Sequence, residues 1–240
     1  MEDKMKKLKQ IMKMEFSNWK KSEVIWLSVA LLTILGLSIY WKDSWIGITA
    51  AVSGVLCVVL TGKGKLSSYI LGIINVVFYS ITAYHAKYYG EVMLNMLYYL
   101  PMNFVGLIAW SKHMNEETGE VEKKRMALKS SVLVYAITGI GIIGYGLALK
   151  KMGGNLPFVD SMSTVVSVVA QILCIKRYVE QWVLWIVVDI VTVIMWIAAF
   201  FIGGESVATL LMWSVYLINA IIMFIKWSKE TKGEKANGNA

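Results

Sequence analysis

From residue 24 onward the chain is a succession of apolar runs, at 24–40, 45–61, 66–84, 91–110, 128–149, 157–174, 180–202 and 206–227, with short polar breaks between them. Each run is continuous rather than alternating, and each reaches the roughly 17 to 25 residues that a helix needs to cross hydrocarbon. Backbone inside a bilayer must satisfy its own hydrogen bonds, so continuous runs predict helices and not barrel strands. The expected fold class is an all-α polytopic membrane protein of about eight transmembrane helices. No small-residue cleavage site follows the basic N-terminus, so the first span is expected to be retained.

Sliding the second half of the sequence along the first exposes a repeat. Asn75 matches Asp189 and Gly90-Glu91 matches Gly204-Glu205 at an offset of 114, while Cys57 matches Cys174 and Trp110 matches Trp227 at 117. Two parallel three-helix units are therefore expected, with one helix between them so that both enter the membrane in the same sense, and with a binding site near mid-membrane where they meet. The resulting division is a basic, amphipathic N-terminus (1–23), an additional helix (24–40), a first unit (45–110), a linker helix (128–149), a second unit (155–227) and a tail (228–240).

Composition fits this picture: 57% of the 240 residues are hydrophobic and only 17% are charged, too few to solvate the surface of a soluble domain. With a cytoplasmic N-terminus, 20 of the 24 lysines and arginines fall on the inner side, so the positive-inside rule places both termini in the cytoplasm. The Lys150-Lys151 pair is the exception. The formal charge of +8 is spread among several loops with no aromatic-basic platform. That argues against nucleic acid and for anionic lipid headgroups as the partner. Met5, Leu8, Met12, Phe16 and Trp19 share one helical face opposite lysines, which fits either a segment lying on the inner leaflet or a frayed basic tail.

Catalytic and metal chemistry find little support. Cys57 and Cys174 lie near the inner ends of their spans, where a reducing compartment disfavours a disulfide. His85 and His113 fall on opposite sides, so no Cys/His metal cluster can form. No phosphate-cradling Gly-rich loop, Gly-x-Ser-x-Gly elbow or His-Glu-x-x-His occurs. Neither an enzyme nor a cofactor is expected.

Polarity instead gathers on single faces of the spans. Trp182, Trp185, Asp189, Thr192 and Trp196 recur at three- and four-residue steps, as do Asp160, Thr164, Ser167, Gln171 and Cys174. Asn75 with Tyr79, Asn95 with Tyr98, Tyr99 and nearby Asn103, and Asn219 with Tyr216 add further polar faces, together able to line one cavity. The asparagines serve equally well as helix-to-helix hydrogen-bonding glue. Trp41, Trp45, Trp110 and Trp227 lie near span ends and are expected in interfacial belts; Trp185 and Trp196, being deeper, belong to cavity or core. Asp189 costs about 2.5–3.5 kcal/mol at mid-membrane on insertion scales and has no lysine or arginine at its depth. Either it is protonated, or it bonds an amide such as Asn75, or its partner is a ligand. Indole faces attract a flat cation, and amides bind hydroxyls as donor and acceptor.

The stretches Gly72-x-x-Asn75, Tyr88-Tyr89-Gly90-Glu91, Asn95-x-x-Tyr98-Tyr99-Leu100-Pro101-Met102-Asn103-Phe104-x-Gly106 and Glu180-x-Trp182-x-x-Trp185-x-x-x-Asp189 resemble the PnuC family of nicotinamide riboside transporters over most of residues 45–228. The resemblance implies a SWEET-like bundle assembled as a homotrimer, and uptake of nicotinamide riboside by facilitated diffusion with a cytoplasmic kinase trapping the product. It also implies that Trp182 and Trp185 flank the pyridinium, that Asp189, Asn75 and Gln171 hold ribose or carboxamide, and that Asn95, Asn103, Tyr98 and Asn219 line the site further. Related members are expected to carry thiamine or riboflavin. A SWEET-type sugar carrier and a membrane scaffold are the other readings of the same residues.

Overall fold

Every apolar run folds as a helix in the computed structural model, which describes residues 15, 17–153, 157–203 and 207–237. The helices are α1 (Lys21–Tyr40), α2 (Trp45–Lys63), α3 (Ser67–His85), α4 (Tyr89–Ser111), α5 (Leu128–Lys151), α6 (Pro157–Ile175), α7 (Gln181–Gly203) and α8 (Val207–Asn237). All eight are long and apolar enough to cross a membrane. Among the described residues there is no strand, only two isolated bridges, Met114 to Val121 and Lys124 to Tyr178. The segment 228–240, expected as a separate tail, continues α8 as far as Asn237. The amphipathic face expected before Trp19 lies almost wholly outside the described residues, as do Gly204 and Glu205.

Local signals set the boundaries. Ser44 accepts the Gly47 N–H at 3.1 Å to cap α2, which ends at Gly64 in the left-handed region (φ 75°), where a side chain would be strained. Asp43, in the α1–α2 turn, accepts the Ala208 N–H at 2.7 Å. It caps α8 from another part of the chain, with its charge at the positive helix end.

Packing crosses the sequence halves in matched fashion. α8 packs on α2, and α4 packs on α6. The Trp110 indole, at the end of α4, donates to the Cys174 carbonyl of α6 at 3.1 Å. Its counterpart Trp227, where the apolar part of α8 ends, donates to the Gly62 carbonyl of α2 at 2.8 Å. Each ring also meets an aromatic edge on its own side, Trp110 with Tyr69 at 5.0 Å and Trp227 with Trp182 at 5.6 Å. These two tryptophans are thus not belt residues: both are fully enclosed, because the loop after α4 folds over them. Trp41 and Trp45 are exposed, as the belt expectation requires.

That loop, 112–127, stitches two turns together. Val121 N–H bonds Gly64 O at 2.8 Å, Lys124 N–H bonds Arg177 O at 2.8 Å, and Val179 N–H bonds Lys124 O at 2.9 Å. Beside it lies a closed ring of alternating charges: Glu230–Lys123 (2.7 Å), Lys123–Glu120 (2.9 Å), Glu120–Lys63 (3.0 Å), Lys63–Glu23 (2.9 Å), Glu23–Lys226 (2.7 Å) and Lys226–Glu230 (4.0 Å). Burial would raise the Glu120 carboxyl, but Lys123 and Lys63 reverse this and hold it below its ordinary 4.5. Burial would lower Lys123, and Glu120 and Glu230 lift it above 10.5 instead. Lys65 is fully buried against the Gly119 carbonyl at 2.9 Å, and burial pulls its ammonium below 10.5. Several lysines counted toward lipid headgroups are therefore spent inside the protein, joining α1, the α2 end, the loop and α8.

Candidate functional site

Between the helices lies a cavity of about 140 Å³ lined by residues of α2, α3, α4, α6, α7 and α8; α1 and α5 contribute none of the described lining. Of the nine residues singled out from the sequence, Asn75, Asn95, Asn103, Gln171, Trp182, Trp185, Asp189 and Asn219 all reach it. Tyr98 does not. Its hydroxyl donates to the Val168 carbonyl at 2.8 Å, so it joins α4 to α6 while its neighbour Tyr99 takes the lining position.

Tyr99 lines the cavity because of the backbone of α4. Glu91, Asn95, Tyr99 and Asn103 follow one another at four-residue intervals and all face the cavity. In a regular α-helix each such step overshoots a full turn by about 40°, so the last residue would drift by about 120° from the first. Residues Leu94–Tyr99 instead form a π-helical stretch, whose i→i+5 bonds widen the turn beyond four residues and reverse the drift. The amides of Asn95 and Asn103 donate back to the Glu91 and Tyr99 carbonyls at 2.8 and 2.9 Å, which fixes both side chains.

Close approach of the helices depends on two glycines. A methyl at Gly106 would collide with the Tyr69 ring, and one at Gly72 would stand 2.5 Å from the Asn103 Oδ1. The asparagines act both as glue and as lining. Asn75 donates to the Ala50 carbonyl at 2.9 Å and Asn219 to the Val58 carbonyl at 3.1 Å, both on α2. The bond from Asn75 to Asp189 weighed from the sequence is not made, because the Asn75 amide is directed to Ala50 and, at 3.5 Å, to the Met212 sulfur.

Asp189 is 3% exposed, and among the described residues its carboxyl has no ion-pair partner. On the same wall Trp185 meets Tyr99 at 6.2 Å with rings tilted by 35°. The Nε1 atoms of Trp182 and Trp213 and the Oδ1 of Asn219 are buried without a hydrogen-bond partner among the described residues. Buried polar atoms are rarely left unpaired, and these three belong to lining residues, where a polar ligand could satisfy them. No lysine, arginine or histidine is among the described lining residues.

A family profile described as nicotinamide mononucleotide transporter matches residues 44–229. This chain belongs to that family. It is 43% identical over 222 residues to the nicotinamide riboside transporter PnuC of Neisseria mucosa, covering 90% of this chain and 84% of that one. It is 35% identical over 224 residues to the protein of the same name from Haemophilus influenzae, covering 92% and 96%. A crystal structure of the vitamin B3 transporter PnuC superposes with a TM-score of 0.84 at 42% identity, covering 92% of this chain and 97% of that one.

In this family member the sequence reasoning passed over Glu91 and Trp213 as lining residues. Glu91 opens α4, where a carboxylate reads as an ordinary first-turn charge. Trp213 shares the helical face of Tyr216 and Asn219, a three-residue spacing that could have revealed it. Trp196, expected in cavity or core, is core: it is fully buried and donates to the Tyr79 hydroxyl at 3.3 Å.

Proposed function

We propose that the protein carries nicotinamide riboside across the inner membrane by facilitated diffusion, opening alternately to either side, with a cytoplasmic kinase trapping the product. The carrying observation is the chamber itself. It sets indoles and amides around the unpaired Asp189 carboxyl and has no basic side chain among its described lining residues. A pyridinium on a ribose suits such walls, whereas the phosphate of the mononucleotide would need cationic or N–H partners. Of the two substrates in the names of the family and its relatives, the chemistry favours the riboside.

In this reading Trp182 and Trp185 flank the pyridinium, each ring contact contributing roughly 0.5–2 kcal/mol. Asp189, Asn75 and Gln171 hold ribose or carboxamide, and Asn95, Asn103 and Asn219 complete the wall. The architecture is SWEET-like: two parallel units, α2–α4 and α6–α8, joined by α5, with α1 as an addition. The reciprocal bonds of Trp110 and Trp227 support that pairing. The lysine-rich end faces the cytoplasm with both termini, and the assembly is a homotrimer, carried over from the family resemblance.

A binding screen of purified protein against nicotinamide riboside, thiamine, riboflavin and simple sugars tests the substrate, with nicotinamide riboside expected to bind tightest. Preference for an uncharged sugar or for riboflavin would refute it. Counter-flow in proteoliposomes tests the mechanism, since stimulation by an inward proton gradient contradicts a passive carrier.

A further inference from the structure

Glu91 brings a second carboxyl to the chamber, from the end opposite the charge ring. Like Asp189, it has no ion-pair partner among the described residues. Its backbone is held from two sides: the Asn95 amide donates to its carbonyl at 2.8 Å, and the preceding Tyr88 packs edge-on against Trp196 at 5.3 Å. Glu91 and Tyr79 both line the chamber. The Tyr79 hydroxyl accepts the Trp196 N–H at 3.3 Å. A carboxyl in a low-dielectric chamber acts strongly on charge.

We propose that Glu91 is a specificity-determining residue of the transporter, selecting ligands by net positive charge at the outer part of the chamber. This rests on the proposed function above and assigns the selection to a residue beyond the indole and Asp189 wall. Two carboxyls and no cation among the described lining residues leave a cationic ligand as the counter-charge available to them. A monocationic pyridinium riboside supplies that charge, and a neutral compound of the same shape does not.

The test compares two probes that share ribose and carboxamide, nicotinamide riboside and its uncharged 1,4-dihydro form, binding to purified full-length protein and to Glu91→Gln and Glu91→Asp variants. Thermal unfolding confirms that each variant is folded. Glu91→Gln is expected to weaken nicotinamide riboside by about tenfold while changing the dihydro compound by less than about twofold, and Glu91→Asp, which keeps the charge, recovers most of the loss. Equal weakening of both probes would overturn the proposal, because Glu91 would then act by shape or hydrogen bonding. An unchanged affinity for nicotinamide riboside would overturn it as well, leaving the transport reading intact. Failure of the unsubstituted protein to bind either probe would sink the transport reading itself.

Discussion

Replacing Lys63 by Met removes one link of the charge ring and tests whether the ring stabilises the fold. The Lys63 side chain is 2% exposed and those of Glu23 and Glu120 are 11% exposed, so water cannot take over the lost partner. Stranding a buried ion without any partner costs about 3–5 kcal/mol. Here Glu23 keeps Lys226 at 2.7 Å and Glu120 keeps Lys123 at 2.9 Å, so neither carboxylate is left alone and the loss should be smaller, about 2 kcal/mol. For a chain of this length that corresponds to a fall in unfolding midpoint of about 4–8 °C, measurable by intrinsic tryptophan fluorescence in detergent. The double variant Lys63→Met/Glu120→Gln restores charge balance, with two lysines and two glutamates, and should recover at least half of the fall. A single variant as stable as the parent, or a double variant whose losses simply add, would refute the idea that the six charges act as one closed system.

The same ring sets a pH dependence. Glu120 is depressed in the folded state, so its contribution is complete above 4.5 and fades as pH falls through its lower folded value. Lys123 is raised, so its contribution is complete below 10.5 and fades only as pH rises above that; a midpoint that varies steeply between pH 6 and 9 would contradict both. Trp185→Ala should weaken nicotinamide riboside by about thirtyfold while leaving the unfolding midpoint nearly unchanged, and a scaffold role would reverse that pattern. Gly106→Ala drives a methyl into the Tyr69 ring and should cost about 1–3 kcal/mol; an unchanged midpoint would show that α3 and α4 can separate freely.

Much of this was legible because the bilayer imposes simple rules. A helix must be apolar for its whole length, so the eight spans announced themselves, and polar residues inside such spans must point at something, so Asn75, Gln171 and Asp189 could be placed on one cavity. Depth along a span was harder to read. Trp110 and Trp227 looked interfacial because they end apolar runs, and only the fold of loop 112–127 reveals that this end is roofed over. The sequence groups Tyr98 with Tyr99 on the cavity face, and the π-helical stretch that separates them is not foreseen from spacing that suits an α-helix. The charge ring draws its members from four distant segments, and no local pattern joins Glu23 to Lys226.

The Trp227 indole touches the Gly62 carbonyl with its N–H, Trp182 with its edge and the Lys123 ammonium across its face at 5.6 Å. Trp182 in turn forms part of the chamber wall. One flat side chain therefore stands between the chamber wall and the charge ring and touches both. In the proposed reading, cargo that displaces Trp182 would be felt by the ring through this one indole. Substitutions in the ring should for that reason alter transport even though the cargo itself never meets the lysines.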